Sequence, residues 1–228
     1  MRRRSGCGPA DPSARPSCAY TISVVAIQPA ADRFMNHKPS WQIRTLNGKF
    51  GYYADFIIYG MLLVALVTFP LRESRSDQLI WLAAAIAGVG SWTLLEYLLH
   101  RFVFHRMPLI ADLHHAHHAA PRAYVGTPTW ASLPIMAGVF FVPIWHLFSL
   151  NVAFGAIGGI ITGWLWYGVV HHVIHYRRPR RLAIALRVAT HRHLLHHSPH
   201  VSGNFGVTTA VWDYLFGTHI SFGTRSSE

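Results

Sequence analysis

Four apolar stretches constrain this chain more than any other feature, because each approaches the roughly 20 residues an α-helix needs to cross a bilayer. They cover about 52–70 ("YYADFIIYGMLLVALVTFP"), 79–99, 129–148 and 152–170. A segment in hydrocarbon must satisfy its own main-chain hydrogen bonds, and continuous apolar runs of this length do so as helices. The link "LRESRSDQ" (71–78) is short and polar, and little more than "SLN" (149–151) joins the third stretch to the fourth. The chain therefore reads as an all-α integral membrane protein with four transmembrane helices in two hairpins. Its 13% of charged residues agrees, since soluble domains carry roughly 25%.

Four spans place the N-terminus, residues 100–128 and the C-terminal region on one side. Of the 20 Lys and Arg, 18 fall on that side, leaving only Arg72 and Arg75 on the other, and "RRPRR" (177–181) directly follows the fourth span. Such an excess marks the cytoplasmic face. The net charge of +11 is read as this asymmetry and not as nucleic-acid binding, because no recognised nucleic-acid module accompanies it. Gly155, Gly159 and Gly163 recur every four residues in the fourth span, which predicts a close helix–helix contact.

Residues 1–45 are rich in Arg, Pro, Ser and Ala without periodicity and read as a disordered basic tail. Met35 offers an alternative start within it. Cys7 and Cys18 lie in this tail without metal-site or disulfide-framework spacing and receive no role. The expected catalytic domain is 46–222, followed by a short tail at 223–228.

Sixteen of the 17 histidines lie between 100 and 219, and 13 of them form four clusters at or just beyond the cytoplasmic ends of spans: "HRFVFH" (100–105), "HHAHH" (114–118), "HHVIH" (171–175) and "HRHLLHH" (191–197). The membrane thus brings to one depth residues that are far apart in sequence. Residues i, i+3 and i+4 share a helix face. His114, His117 and His118 fit that rule, as do His193, His196 and His197, while His171 and His175 form an i, i+4 pair. His100 and His105 are five apart, about 140° on a regular helix, so they need a helix end, a bulge or separate approaches. Ten imidazoles exceed what one tetrahedral zinc uses and suit two ions with about five ligands each; imidazole serves iron as well as zinc.

His115, His172 and His191 fall off these faces, although His172 also stands i, i+3 to His175. His191 points about 160° from His193. His146 lies alone near the far end of the third span, and His37, His200 and His219 have no partner spacing; Pro199 is expected to end the helix before His200. Glu96, one turn before His100, and Asp213 are candidates to accept the free N–H of a ligating ring. Asp112 is a weaker candidate, read as a helix cap or a solvated carboxylate, and Asn204 is read as forming the turn before Gly206 in preference to orienting a ligand.

"EYLLHRFVFH", "LHHAHH", "HHVIH" and "HRHLLHHSPHVSGNFGVTTAVWDYLFGT" together resemble the fatty acid hydroxylase / sterol desaturase superfamily of membrane di-iron enzymes, over about residues 52–222. The spacing HX4H, HXXHH, HX3H, HXXHH is closest to the fatty acid 2-hydroxylase branch. The resemblance implies a four-helix anchor under a cytosolic helical cap that holds two metals on the ten histidines above. It further implies hydroxylation of a lipid acyl chain by two iron ions, with O2 as co-substrate, two electrons, and C2 as the position the branch suggests. Zinc is the expected stand-in in purified protein.

Eukaryotic 2-hydroxylases often carry a fused cytochrome haem domain. This chain lacks a haem motif, so a separate ferredoxin or small cytochrome is the expected electron donor. "HHAAPRAYVGTP" (117–128) departs from the "HHKXP"-like stretch of typical 2-hydroxylases, so the resemblance defines the reaction class more closely than the substrate. The expected location is the bacterial inner membrane, with both termini and the metal site cytoplasmic.

Two other readings compete. A sterol or carotenoid oxidase or desaturase belongs to the same superfamily and is separated from a hydroxylase by its product. A non-enzymatic metal-binding or transport protein would line a path through the spans with polar groups, and here Asp55 and Glu96 are near the span ends.

Overall fold

A computed structural model of the protein describes residues 49–108, 110–122, 124, 129–177, 183–198 and 201–221. The basic tail, most of "RRPRR", His37, His200 and residues 222–228 lie outside the described residues. Four helical segments are long and apolar enough to cross a membrane: Lys49–Arg72, Arg75–Phe104, Thr129–Leu147 and Leu150–Tyr176.

The first span is α1 (Lys49–Thr68), closed by a 3-10 turn over Phe69–Arg72 with Pro70 in its first positions. Ser74 then caps α2 (Arg75–Leu98), accepting the Asp77 amide at 3.2 Å. Asp77 in the first turn also suits the positive end of the helix dipole. Beyond Leu98 the helix does not stop but loosens into a π-helix, Leu99–Phe104, and α3 (Ile110–Ala119) follows.

The third span, predicted as one helix over 129–148, is broken. It consists of α4 (Thr129–Ile135), a π segment over Met136–Phe141, and α5 (Val142–Leu147). Pro134 and Pro143 lie in it, and a proline inside a helix removes a main-chain donor and crowds the preceding turn. Ser149 caps α6 (Leu150–Tyr176), which runs six residues past the end predicted from apolarity. At 1.5 Å per residue α6 is about 40 Å long, against roughly 30 Å of hydrocarbon. The second span is longer still. These two helices carry histidines out of the membrane, where α7 (Ile184–His196) and α8 (Val211–Leu215) complete the cap.

The predicted hairpin links are short, yet the most extensive helix packing is across them, between α2 and α6. The glycine stripe explains it. A Cβ at Gly159 would fall 2.0 Å from the Ala85 carbonyl oxygen, and one at Gly155 2.4 Å from that of Trp81, so only glycine permits this approach. Around the seam Tyr59, Leu66, Trp92, Met136, Ile157, Ile160 and Ile161 form the membrane core. A second core of Val170, Ile174, Ala189 and Val207 fastens the cap to the end of α6.

Candidate metal centre

The ten histidines singled out by spacing converge in two groups of five, and within each group the candidate ligand atoms lie within 4.8 Å of one another. The first pentad is His100, His105, His114, His118 and His196; the second is His117, His171, His175, His193 and His197. The partition follows helix geometry in a way spacing alone did not show. Each i, i+4 pair (114 and 118, 171 and 175, 193 and 197) stays together, and the third member of each HXXHH motif crosses over. His117 leaves α3 for the second pentad, and His196 leaves α7 for the first.

The five-residue gap between His100 and His105 is accommodated by the π-helix that carries them. In i→i+5 geometry, residues five apart lie about one turn apart, and the two rings stack at 5.2 Å between centroids. This local loosening turns a 140° divergence into a shared face.

Several observations test whether these residues fit metal ions. Nε2 atoms approach to 3.0 Å for His100–His114 and His118–His114, 3.1 Å for His105–His196, His175–His193 and His197–His193, and 3.3 Å for His175–His171. Two nitrogens bonded at about 2.1 Å to one ion and at right angles would be about 3 Å apart, and trans nitrogens about 4.2 Å. Burial, with neighbouring imidazoles adding to it, lowers the His105 pKa to about 4, His117 to about 3, and His118 and His197 to about 2. Burial likewise lowers His114, His193 and His196. The rings are therefore neutral near pH 7 and offer lone pairs. His117 Nε2 is buried without a hydrogen-bond partner among the described residues. The donor set fits two imidazole-liganded transition-metal ions.

Glu96 and Asp213 are buried, as a support role requires, but they do not act as predicted. Neither accepts a ring N–H among the described residues. Glu96 Oε1 accepts the amides of Val207 and Thr208 at 2.6 and 2.9 Å, and its Oε2 accepts the Thr208 hydroxyl at 2.5 Å. Asp213 accepts the amides of Phe205 and Gly206 and the Thr218 hydroxyl, each at 2.8 Å. The ring N–H acceptors are main-chain carbonyls: His100 Nδ1 donates to Phe205 O at 2.6 Å and His196 Nδ1 to Gly203 O at 2.8 Å. The two carboxylates thus orient the loop, and the loop orients the rings. Its tightness requires Gly206, where a Cβ would lie 2.0 Å from the Thr209 carbonyl oxygen.

Asn204 does more than form a turn. It adopts a left-handed φ of 56°, which Asn tolerates better than most residues, and its side chain clamps the main chain of Ile220 in both directions at 2.9 Å. Tyr97, fully buried, stacks on Phe216 and bonds Thr218 at 3.1 Å. Sequence reasoning missed the roles of Asn204, Tyr97 and the two carbonyls. Only the unusual density of the "NFGV…WDYLFGT" stretch signalled them.

The remaining described histidines belong to neither pentad, although the His115 ring lies 6.0 Å from that of His105. His115, His146 and His191 are exposed. His172 Nδ1 shares a hydrogen bond with the Tyr52 hydroxyl at 3.1 Å and the ring stacks on Tyr176, and His219 stacks on Tyr214. Asp112 is exposed in the first turn of α3, as a solvated carboxylate is. A void of about 10 Å3, the size of one water, borders His117, His171 and His175, and a cavity of about 470 Å3 borders His175.

Fold and site define a multi-pass membrane protein with a paired, all-imidazole centre. The family model for fatty acid hydroxylases matches residues 85–218, a range that holds all ten histidines, and the chain belongs to that family. It is 34% identical over 145 residues to a fatty acid 2-hydroxylase of Macaca fascicularis, covering 58% of this chain and 38% of that one. It is 32% identical over 145 residues to a dihydroceramide fatty acyl 2-hydroxylase of Arabidopsis thaliana, covering 58% of each chain. The match thus spans less than two thirds of these relatives. A solved structure of full-length Scs7p, in which only the hydroxylase domain is visible, has a TM-score of 0.66 at 26% identity, covering 78% of this chain and 70% of that one.

Proposed function

We propose that the protein hydroxylates a lipid acyl chain with O2, at C2, using two iron ions held by the two histidine pentads. The observation that best supports this is the convergence of ten neutral imidazoles into two five-membered sets in a chain of the fatty acid hydroxylase family. When bound, the iron pair supplies the redox chemistry that an unactivated C–H bond demands and that acid–base side chains lack. The protein's own part is orientation and exclusion. Glu96 and Asp213 hold the 203–208 loop, whose carbonyls set the tautomer and direction of His100 and His196. The long ends of α2 and α6 lift the centre to the membrane surface, where an acyl chain can reach it from the bilayer.

In this reading the centre and both termini face the cytoplasm of a bacterial inner membrane, in keeping with the 18 basic residues on that side. Electrons come from a separate ferredoxin or small cytochrome. Lipid analysis of cells with and without the gene, grown under 18O2, tests the reaction. An 18O-labelled 2-hydroxy lipid that disappears with the gene is expected; identical lipids in both strains, with metal-loaded protein present, would overturn it.

A further inference from the structure

The cavity of about 470 Å3 lies where the residues after α3 meet the end of α6 and the middle of α7, and no ligand role uses it. It is an open cleft and not an enclosed pocket, with a volume in the small-molecule range of roughly 300–1,000 Å3. His175 of the second pentad forms part of its wall, so an occupant sits against that centre. Ile174 and Leu194 give it apolar surface, and Arg122 and Arg177 give it two guanidinium groups.

Leu194 also belongs to the outside of the cap. Ile184 and Val188 are exposed on the same third of the helix circumference at 100° per residue, with Arg187 and His191 exposed among them. The cavity therefore opens at Leu194 to the outside of the cap and meets the centre at His175.

Arg122 is anchored where it stands. Its Nε donates to the His175 carbonyl at 3.3 Å, and its own carbonyl accepts the Tyr176 hydroxyl at 2.6 Å. Among the described residues no carboxylate lines the cavity. Glu96 and Asp213 are committed to the 205–208 loop, and Asp55 accepts from Thr129. Two guanidinium forks with no carboxylate lining the cavity beside them among the described residues match a carboxylate or a phosphate, which they can bind bidentately. An uncharged amide or hydroxyl head draws no comparable attraction.

We propose that this cavity binds the polar head of the lipid, and that the head is anionic, a carboxylate or a phosphate held by Arg122 and Arg177. The acyl chain leaves past Leu194 toward the bilayer, and the atoms nearest the head lie beside the second pentad. This deepens the hydroxylation reading and rests on it for the lipid's being a substrate. It sets the chain apart from its plant relative, whose named dihydroceramide has an uncharged head.

Full-length, lipid-depleted protein in a non-ionic detergent is titrated with palmitic acid, dipalmitoyl phosphatidic acid and N-palmitoyl ceramide, and bound lipid is read by native mass spectrometry. The expected result is at least about ten-fold tighter binding of one or both anionic lipids than of ceramide, as befits charge-assisted hydrogen bonds. The arm that binds tells whether carboxylate or phosphate is the natural head. Arg122→Gln should remove the preference, and Arg122→Lys should keep part of it. Arg177→Gln, at an exposed helix end, tests the second cation without risk to the fold.

Equal binding of ceramide, or a preference unchanged in both glutamine variants, overturns the proposal. Its failure is distinct from failure of the hydroxylase reading. Labelled hydroxyceramide formed under 18O2 would leave the reaction standing and remove the anionic head. Selective anion binding without any labelled product would do the reverse.

Discussion

In the first pentad His100 and His196 give their Nδ1 protons to main-chain carbonyls, and two buried carboxylates fasten the loop that bears those carbonyls. In the second, Nδ1 of His193 and of His197 are buried without a hydrogen-bond partner among the described residues. Three of its members border a void of one-water size, and one of them, His175, also borders the larger cavity. The donor chemistry is the same, so the difference lies in support and access. One set is braced by the fold, and the other is turned toward the cavity where a lipid would arrive. Rigid geometry on one side and approach on the other divide the work of a paired centre.

The harshest way to break this comparison is to delete one ligand from each set. His196→Ala and His193→Ala should each reduce hydroxylation to background. Metal analysis should show about one ion retained per chain in each case, since each variant leaves one pentad intact. Both ions lost in both variants would show that the sets do not load separately.

Asp213→Ala acts only through the braced side. It leaves the buried amides of Phe205 and Gly206 without acceptors, at about 1–3 kcal/mol each, and loosens the carbonyls that orient His100 and His196. Metal affinity at the first pentad should fall about 10–100-fold, with the second less affected. Equal loss at both, by titration with a chelator, would mean that the loop supports them alike.

Acid sharpens the contrast from another direction. The unfolded chain takes up protons on histidine below about pH 6.5, whereas burial keeps His105 neutral until about pH 4 and His117, His118 and His197 until lower still. The unfolded state therefore binds more protons across that window. Stability of the metal-free protein is full above about pH 6.5 and falls as pH drops toward 4. Among these four, His105 of the braced set protonates first. A melting temperature that stays flat or rises from pH 7 to pH 4.5 would contradict this. The smallest effect belongs to the exposed His191: His191→Ala should change metal content and turnover by less than about two-fold, as surface substitutions usually do.

Much of this arrangement was legible in the residues. Apolar run length marked the four spans, and i, i+3, i+4 spacing separated His114, His117 and His118 from His115. Spacing could not say which ring serves which set, because one helix face borders both. His117 and His118 are neighbours in sequence and belong to different pentads. The π-helix at Leu99–Phe104 was visible only as a conflict, the five-residue gap that an α-helix does not close. Glu96 and Asp213 were recognised as carboxylates worth noting, but their partners are amides some 110 and 8 residues away in the chain. Periodicity carries no information about a main-chain loop that folds back to meet them.

The exchanged pair, His117 and His196, also bears on the connectivity of the chain. His105 and His196 are 91 positions apart, and an ion held between them would close that length of polypeptide into a ring, while its neighbour closed another through His117. Such rings restrict the unfolded chain as a cross-link does, and longer loops are restricted more. Two ions in these places would act as removable staples, interlocked because the two HXXHH motifs, at α3 and α7, each contribute to both. The cap would then open in stages as metal is withdrawn, and its closure would depend on metal supply as much as on sequence.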